Sequence, residues 1–285
     1  MTQFSVLESE PPCELLSAVV TLAPAASAQA PAWLARAAHA WLLARIARSD
    51  PALADALHEA DTPRPFTVSN LWGTGRARDG LVTLTPDRPC WLRFTALNGP
   101  LVRALQAALP QPGERLNLAD APLVVQSVAS DEGEHPWAGR ATYAGLLEQH
   151  TLRPDPAPRY VTLRFASPTT FRSQGRDLPL PLPSLVFDGL LRKWNLFAPL
   201  ALPEEAKRYA EECVTLSRFR LRSHWVTFES GDKGAQVGFT GEVRFRFLTG
   251  DAYWNRVMTG LAAYAFWAGT GYRTTAGLGQ TQAVR

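Results

Sequence analysis

Cysteine is scarce in this chain: Cys13, Cys90 and Cys213 are the only three in 285 residues, an odd number and far apart. They form no CxxC pair and no Cys/His ligand spacing, which argues against a disulfide framework and a zinc site and fits a reducing compartment. Lysine is scarce too, with Lys193, Lys207 and Lys233 alone among 29 basic residues. No apolar run approaches membrane-spanning length, and the first residues hold no basic region followed by an apolar stretch. The expectation is a cytoplasmic protein with no membrane partner, no metal and no other cofactor. The formal charge of +3 is too small to dictate a partner.

Arginine and apolar residues are what the chain has in quantity. Hydrophobic residues make up 46%, enough for packed cores in one large domain or two ordinary ones. The planar fork of arginine matches phosphate and stacks on bases, so the bias fits a nucleic-acid binder. An Ala-, Pro- and Arg-rich chain is equally what a GC-rich genome encodes.

The periodicities set out an order of elements. Glu14 to Leu22 reads as a strand. A helix follows, in which Trp33, Leu34, Ala37, Ala38, Trp41, Leu42 and Ile46 recur at helical spacing with Pro31 in the first turn. Asp50-Pro51 stops it, and a short helix covers Ala52 to His58. Phe66 to Leu71, Leu81 to Leu84 and Cys90 to Leu97 read as strands, Gly99 to Leu109 as a helix, and Leu116 to Val128 as an extended pair. Pro154, Pro156 and Pro158 then mark a stiff linker, dividing the chain into domains 1–152 and 159–285.

Beyond the linker, Tyr160 to Ala166 reads as a strand, and Pro183 to Phe197 and Pro203 to Val214 as helices. Leu216 to Glu229 and Ala235 to Leu248 read as a long hairpin turning near Gly231-Asp232-Lys233-Gly234. Asp251 caps a helix to about Trp267, and Leu278 to Val284 is the last strand. The order β-α-β-β-α-β thus occurs twice, which predicts an α+β protein of two tandem ferredoxin-like (RRM-like) domains.

Between that last helix and strand lies a run crowded with Gly269, Gly271, Gly277 and Gly279. Such glycines let backbone N–H groups approach a polyanion, with Arg273, Thr274 and Thr275 adding a cation and two hydroxyls. The same residues also suit a plain turn before an edge strand. On the hairpin, Arg218, Arg220 and Arg222 alternate with apolar residues and so share one face, where they track a phosphate backbone or simply meet solvent. Trp72, Trp137 and Trp194 suit base stacking or packing. Neither GxxxxGK[ST] nor an acidic residue following GxGxxG after a strand is present, which argues against an ordinary nucleotide-binding enzyme.

Three stretches together resemble the CRISPR repeat-cleaving endoribonucleases of the RAMP superfamily. The first is the helix with His39 followed by Ser49-Asp50-Pro51-Ala52-Leu53-Ala54, Leu57-His58 and Pro65-Phe66-Thr67-Val68-Ser69-Asn70-Leu71. The second is Phe165-Ala166-Ser167-Pro168-Thr169-Thr170-Phe171 with Pro181 and Pro183 ahead of a helix. The third is Gly238-Phe239-Thr240-Gly241 with the glycine-rich run.

The resemblance implies metal-independent cleavage of precursor CRISPR RNA within its repeats, in a cleft between two ferredoxin-like domains. The ribose 2′-OH attacks the phosphate, giving 2′,3′-cyclic phosphate and 5′-OH ends. Repeat RNA is the implied partner, with other CRISPR effector subunits and a homodimer left open. The alternative is a non-catalytic RAMP subunit that holds guide RNA in an effector complex.

Such a reaction needs a base, an acid and positive charge, and histidine suits either proton role at neutral pH. On the residues alone, His39 is a helix side chain packed beside Trp33, Leu42 and Leu43; the resemblance makes it the first catalytic candidate and His58 the second. His135 and His150 fall in loop-like or linker-like sequence, and His224 on the hairpin. Relatives commonly carry a lysine or tyrosine beside the histidine. The N-terminal half has no lysine, so the expected substitutes are Arg36 and Arg45.

Overall fold

The strand β1 (Leu15–Pro24), LLSAVVTLAP, is buried along nearly its whole length and organises the first half of the molecule. A strand apolar on both faces needs cover on both sides. The computed structural model, which describes residues 13–59, 63–152, 155–228 and 235–284, supplies that cover from two different halves of the chain.

After β1 come β2 (Ala28–Pro31), α1 (Ala35–Ala47), α2 (Pro51–Glu59) and β3 (Phe66–Val68). Next are β4 (Leu81–Leu84), β5 (Cys90–Ala96), α3 (Gly99–Ala108), β6 (Arg115–Leu118) and β7 (Ala121–Ala129). The main sheet runs β3-β5-β1-β7-β6, with antiparallel pairing. Leu42 of α1 and Leu105 of α3 pack with Leu92 and Phe94 of β5 on one side of it. By strand alternation Arg93 and Thr95 point to the other side.

The short strand β8 (Gly139–Ala141) pairs with β1, and α4 (Tyr143–Thr151) follows. Tyr143 and Leu146 of α4 belong to the second core, against α7 (Ala252–Ala268). The second half contains β9 (Tyr160–Thr169), the ribbon β10 (Phe171–Ser173) and β11 (Arg176–Leu178), α5 (Pro183–Phe197) and α6 (Glu205–Glu212). It ends with β12 (Val214–Val226), β13 (Gln236–Phe247), α7 and β14 (Thr281–Val284). Its sheet order, β12-β13-β9-β14, repeats the order of the core strands β3-β5-β1-β7 in the first half. This is the expected α+β architecture of two ferredoxin-like units.

Several details differ from the sequence expectations. Pro31 ends β2, paired with Leu81, so α1 begins four residues later. Its free amide at Leu34 donates to Asn70 Oδ1 at 2.7 Å, and Asn70 Nδ2 donates to Ala32 O at 2.9 Å. A residue just beyond β3 therefore does the work of a local cap. Strands β2, β8, β10 and β11 and helix α4 are too short to carry a periodic signal. The hairpin turn at 231–234 lies outside the described residues, as do Arg153 and Pro154 of the linker. Trp137 and Trp194 are packed inside. No described helix is long and apolar enough to cross a membrane.

Helix α7 joins the halves. Val257, Met258 and Leu261 fill the second core, while Phe266 and Trp267 reach the far side of the first sheet. There the fully buried Arg93 donates from Nε to Ser17 Oγ (2.8 Å) and Trp137 O (3.0 Å), and from Nη1 to Gln280 Oε1 (2.7 Å). Its Nη2 donates to Phe266 O, and the guanidinium lies 5.0 Å from the Trp137 ring and 4.5 Å from the Phe266 ring. Burial lowers its pKa to about 9, so it stays a cation at neutral pH.

Candidate active site

The glycine-rich run leaves α7 at Gly269 and crosses back to the first half. Gly269, Gly271, Gly277 and Gly279 all have positive φ, from +60° to +93°. A Cβ on Gly277 would sit 2.6 Å from Ala35 Cβ and 2.9 Å from the Trp33 ring; one on Gly279 would sit 2.0 Å from Thr270 O. The glycines thus let the loop fold on itself and press onto α1. Several of its amides point inward: Thr270 N donates to Gly279 O, Tyr272 N to Thr170 O and Gly279 N to Pro168 O.

Two side chains of the first half hold the loop. Trp33 Nε1 donates to Ala276 O at 2.9 Å, and His39 Nδ1 lies 2.9 Å from Thr275 O. A carbonyl oxygen only accepts, so Nδ1 carries the proton and Nε2 the lone pair. His39 is half-buried beside the Phe66 ring. Burial lowers its pKa, the Thr275 hydrogen bond opposes that shift, and the charges of Arg64, His58 and Arg36 add to the lowering. The imidazole is therefore neutral near pH 7 with its basic nitrogen unclaimed by Thr275.

The other sequence candidates divide. His58 is exposed at the end of α2, within electrostatic reach of His39. Arg273 is exposed at the loop's tip, over the Phe228 and Tyr272 rings at 4.8 and 5.4 Å. Phe228, just past the described end of β12, also meets Trp33 edge-on, which brings the hairpin to the loop. Thr275 contributes its carbonyl, while Thr274 is buried with its hydroxyl toward Lys193.

Arg218, Arg220 and Arg222 are exposed and pair with Arg244, Glu242 and Thr240 of β13. Strand alternation in β9 and β13 adds Arg164 and Arg246 to that open face. His224 bonds to Thr240 Oγ1 on the hairpin, and His135 Nδ1 accepts from Trp137 N behind the first sheet, so both are engaged elsewhere.

Arg45 is not the substitute cation. It is tied to Glu114, to Ala108 O at 2.9 Å and to Leu109 O at 3.2 Å, and it stacks over Trp41. Arg36 keeps the expected place near His39, and Arg64 joins it. Arg64 donates from Nη2 to His58 O, and its buried Nε has no partner among the described residues. Sequence reasoning passed over Arg64, whose only signal is its position just ahead of Pro65-Phe66. The docking of Trp33 on Ala276 O and of His39 on Thr275 O has no local signal either, since contacts across more than two hundred residues leave no trace in nearby sequence.

Two family models match the chain. The CRISPR Cas6 N-terminal domain matches residues 15–148, and CRISPR-associated endoribonuclease Cas6 matches residues 163–281. Among solved structures, a Cas6 product complex is 29% identical with a TM-score of 0.75, covering 95% of this chain and 100% of its own. Thermus thermophilus Cas6 is 28% identical with a TM-score of 0.71, covering 95% and 99%. A histidine-to-alanine mutant of a Cas6 is 27% identical with a TM-score of 0.70, covering 96% and 100%. No curated protein matches.

Proposed function

Since the chain belongs to the Cas6 family of CRISPR-associated endoribonucleases, we propose that it cuts precursor CRISPR RNA within its repeats, without a metal ion, by 2′-OH attack. The carrying observation is the His39 imidazole, held with its proton on Nδ1 by Thr275 O and kept neutral by burial. Its Nε2 takes the 2′-OH proton, the 2′-oxygen bonds to phosphorus, and the bond to the 5′-oxygen breaks. That oxygen leaves as a 5′-OH, with His58 in the role of proton donor, and a 2′,3′-cyclic phosphate remains. Arg36 and Arg64 face the charge that builds on the phosphorane, which suits the electrostatic part of catalysis.

The proposed division of labour follows the linker. Residues 1–152 supply the reacting histidines, and 159–285 supply the glycine-rich loop and the arginines of the open sheet face that hold the RNA. The cytoplasm is its proposed setting.

Repeat RNA incubated with purified protein in excess EDTA is expected to be cut at one position, with a cyclic phosphate on the upstream product. Tight binding without cleavage would favour the guide-holding reading. Activity lost in EDTA and restored by a divalent ion, with RNA folding controlled, would remove the metal-free mechanism. His39→Ala should slow single-turnover cleavage by roughly 100-fold or more while affinity stays within a few-fold, with His58→Ala milder.

A further inference from the structure

We infer that Lys193 is a positioning residue for His39, acting through the glycine-rich loop and not by touching RNA. This rests on the proposed function, in which His39 takes the 2′-OH proton.

Lys193 lies on α5, among Val186, Phe187, Leu190, Leu191 and Trp194, which build the second core. It is only 8% exposed, at a position where an aliphatic residue would pack without desolvating a charge. Its three donors meet three neutral acceptors: Ala268 O at 2.6 Å, Thr274 Oγ1 at 3.3 Å and Gly269 O at 3.5 Å.

Those acceptors belong to two ends of one loop. Ala268 and Gly269 are where α7 stops and the loop departs. Thr274 opens the short 3₁₀ turn Thr274–Ala276, whose next residue supplies the carbonyl that orients His39. The Lys193 amino group therefore ties the loop's root to the turn that touches the imidazole. Burial, and secondarily the charge of neighbouring Arg192, lower its pKa to about 7, the physical cost of placing it there.

Without that tie, the Thr274–Ala276 turn keeps the Trp33 bond to Ala276 O but loses its link to the loop's root, and Thr275 O holds the His39 proton on Nδ1 less firmly. The imidazole then also populates the tautomer with its proton on Nε2, which cannot accept from the 2′-OH. The tie is a donor–acceptor pair, so removing either end should give the same defect.

The test uses Lys193→Met, which keeps an unbranched side chain, and Thr274→Val, which keeps the shape of threonine. Nitrogen-15 NMR of the RNA-free protein, with the His39 ring assigned from the spectrum of His39→Ala, reads the tautomer directly. Single-turnover cleavage, its pH profile and RNA affinity are measured on the same samples. Both variants are expected to lose the pure Nδ1–H signature and to cleave roughly tenfold to a hundredfold more slowly, with affinity within threefold. The acidic limb should move to lower pH, because the Thr275 bond opposes the lowering by burial, Arg64, His58 and Arg36.

Retention of the wild-type signature and of a rate within twofold, in either variant that melts like wild type, overturns the inference. Should Lys193→Met fail to fold, Thr274→Val decides alone by the same readouts. Wild-type cleavage by His39→Ala would instead sink the functional reading, whatever the tautomer of the parent protein.

Discussion

The two halves carry the same sheet order, yet the faces of their sheets turned away from their own helices have opposite surroundings. In the first half, α7 and the residues after it cover that face and enclose Arg93, whose donors all find neutral oxygens. In the second half the face is open and carries Arg164, Arg218, Arg220, Arg222, Arg244 and Arg246 beside a single Glu242 on β13. One arginine is a structural fastener, and the others keep their charge in water. Strand order does not decide what a sheet face does; what docks on it decides.

The largest effect that would sharpen this contrast is Arg93→Met. It leaves Ser17 Oγ, Gln280 Oε1 and Phe266 O without the guanidinium donor, while Trp137 O keeps the Ser17 hydroxyl, so a loss of about 3 kcal/mol or more is expected. Thermal or denaturant unfolding measures it, and a change under 1 kcal/mol would show that the seam does not depend on the guanidinium.

Gly277→Val comes next. Its side chain has no room between Ala35 and Trp33, and its φ of +93° is one that valine avoids. RNA affinity and cleavage should fall together while the protein stays soluble and folded. Wild-type behaviour in both would make the loop a mere connector.

The smallest effect on the fold should come from replacing Arg218, Arg220 and Arg222 together by alanine. Stability should stay within about 0.5 kcal/mol, as for ordinary surface positions. Repeat RNA binding should weaken, and the slope of log K against log salt should become shallower by about 0.7–0.9 for each phosphate no longer neutralised. An unchanged slope would mean that the open face meets only solvent, and the comparison between the faces would lose its functional half.

Much of this architecture was legible in the sequence. Alternation in Tyr160 to Ala166, the helical spacing from Trp33 to Ile46 and the cap at Asp251 are local signals, and each marks an observed element. What decided the site was not local. The glycines announced unusual backbone, but their need for it comes from Ala35, Trp33 and Thr170, distant in the chain. Arg45 and Arg36 looked alike as candidate cations on one helix, until Glu114 and the end of α3 took up the former. Arg93 and Lys193 were not anticipated: one alternates with Leu92 and Phe94 as an outward strand residue would, and the other is a charge among apolar neighbours on a helix. A charge where a core residue belongs announces a buried connection without saying to what.

The bond between His39 and Thr275 O spans 236 positions of sequence. The first half has its own apolar cluster on the side of its sheet that α1 and α3 cover, and it is synthesised before the α7 that covers the other side. Its histidine then has no carbonyl to fix its proton, because that carbonyl is made almost last. On the proposed mechanism, the order of synthesis matters: His39 is laid down early and meets the carbonyl that orients it only when synthesis has passed the glycine-rich loop. On that mechanism, a chain that stops short of the loop has its histidine and lacks the carbonyl that orients it.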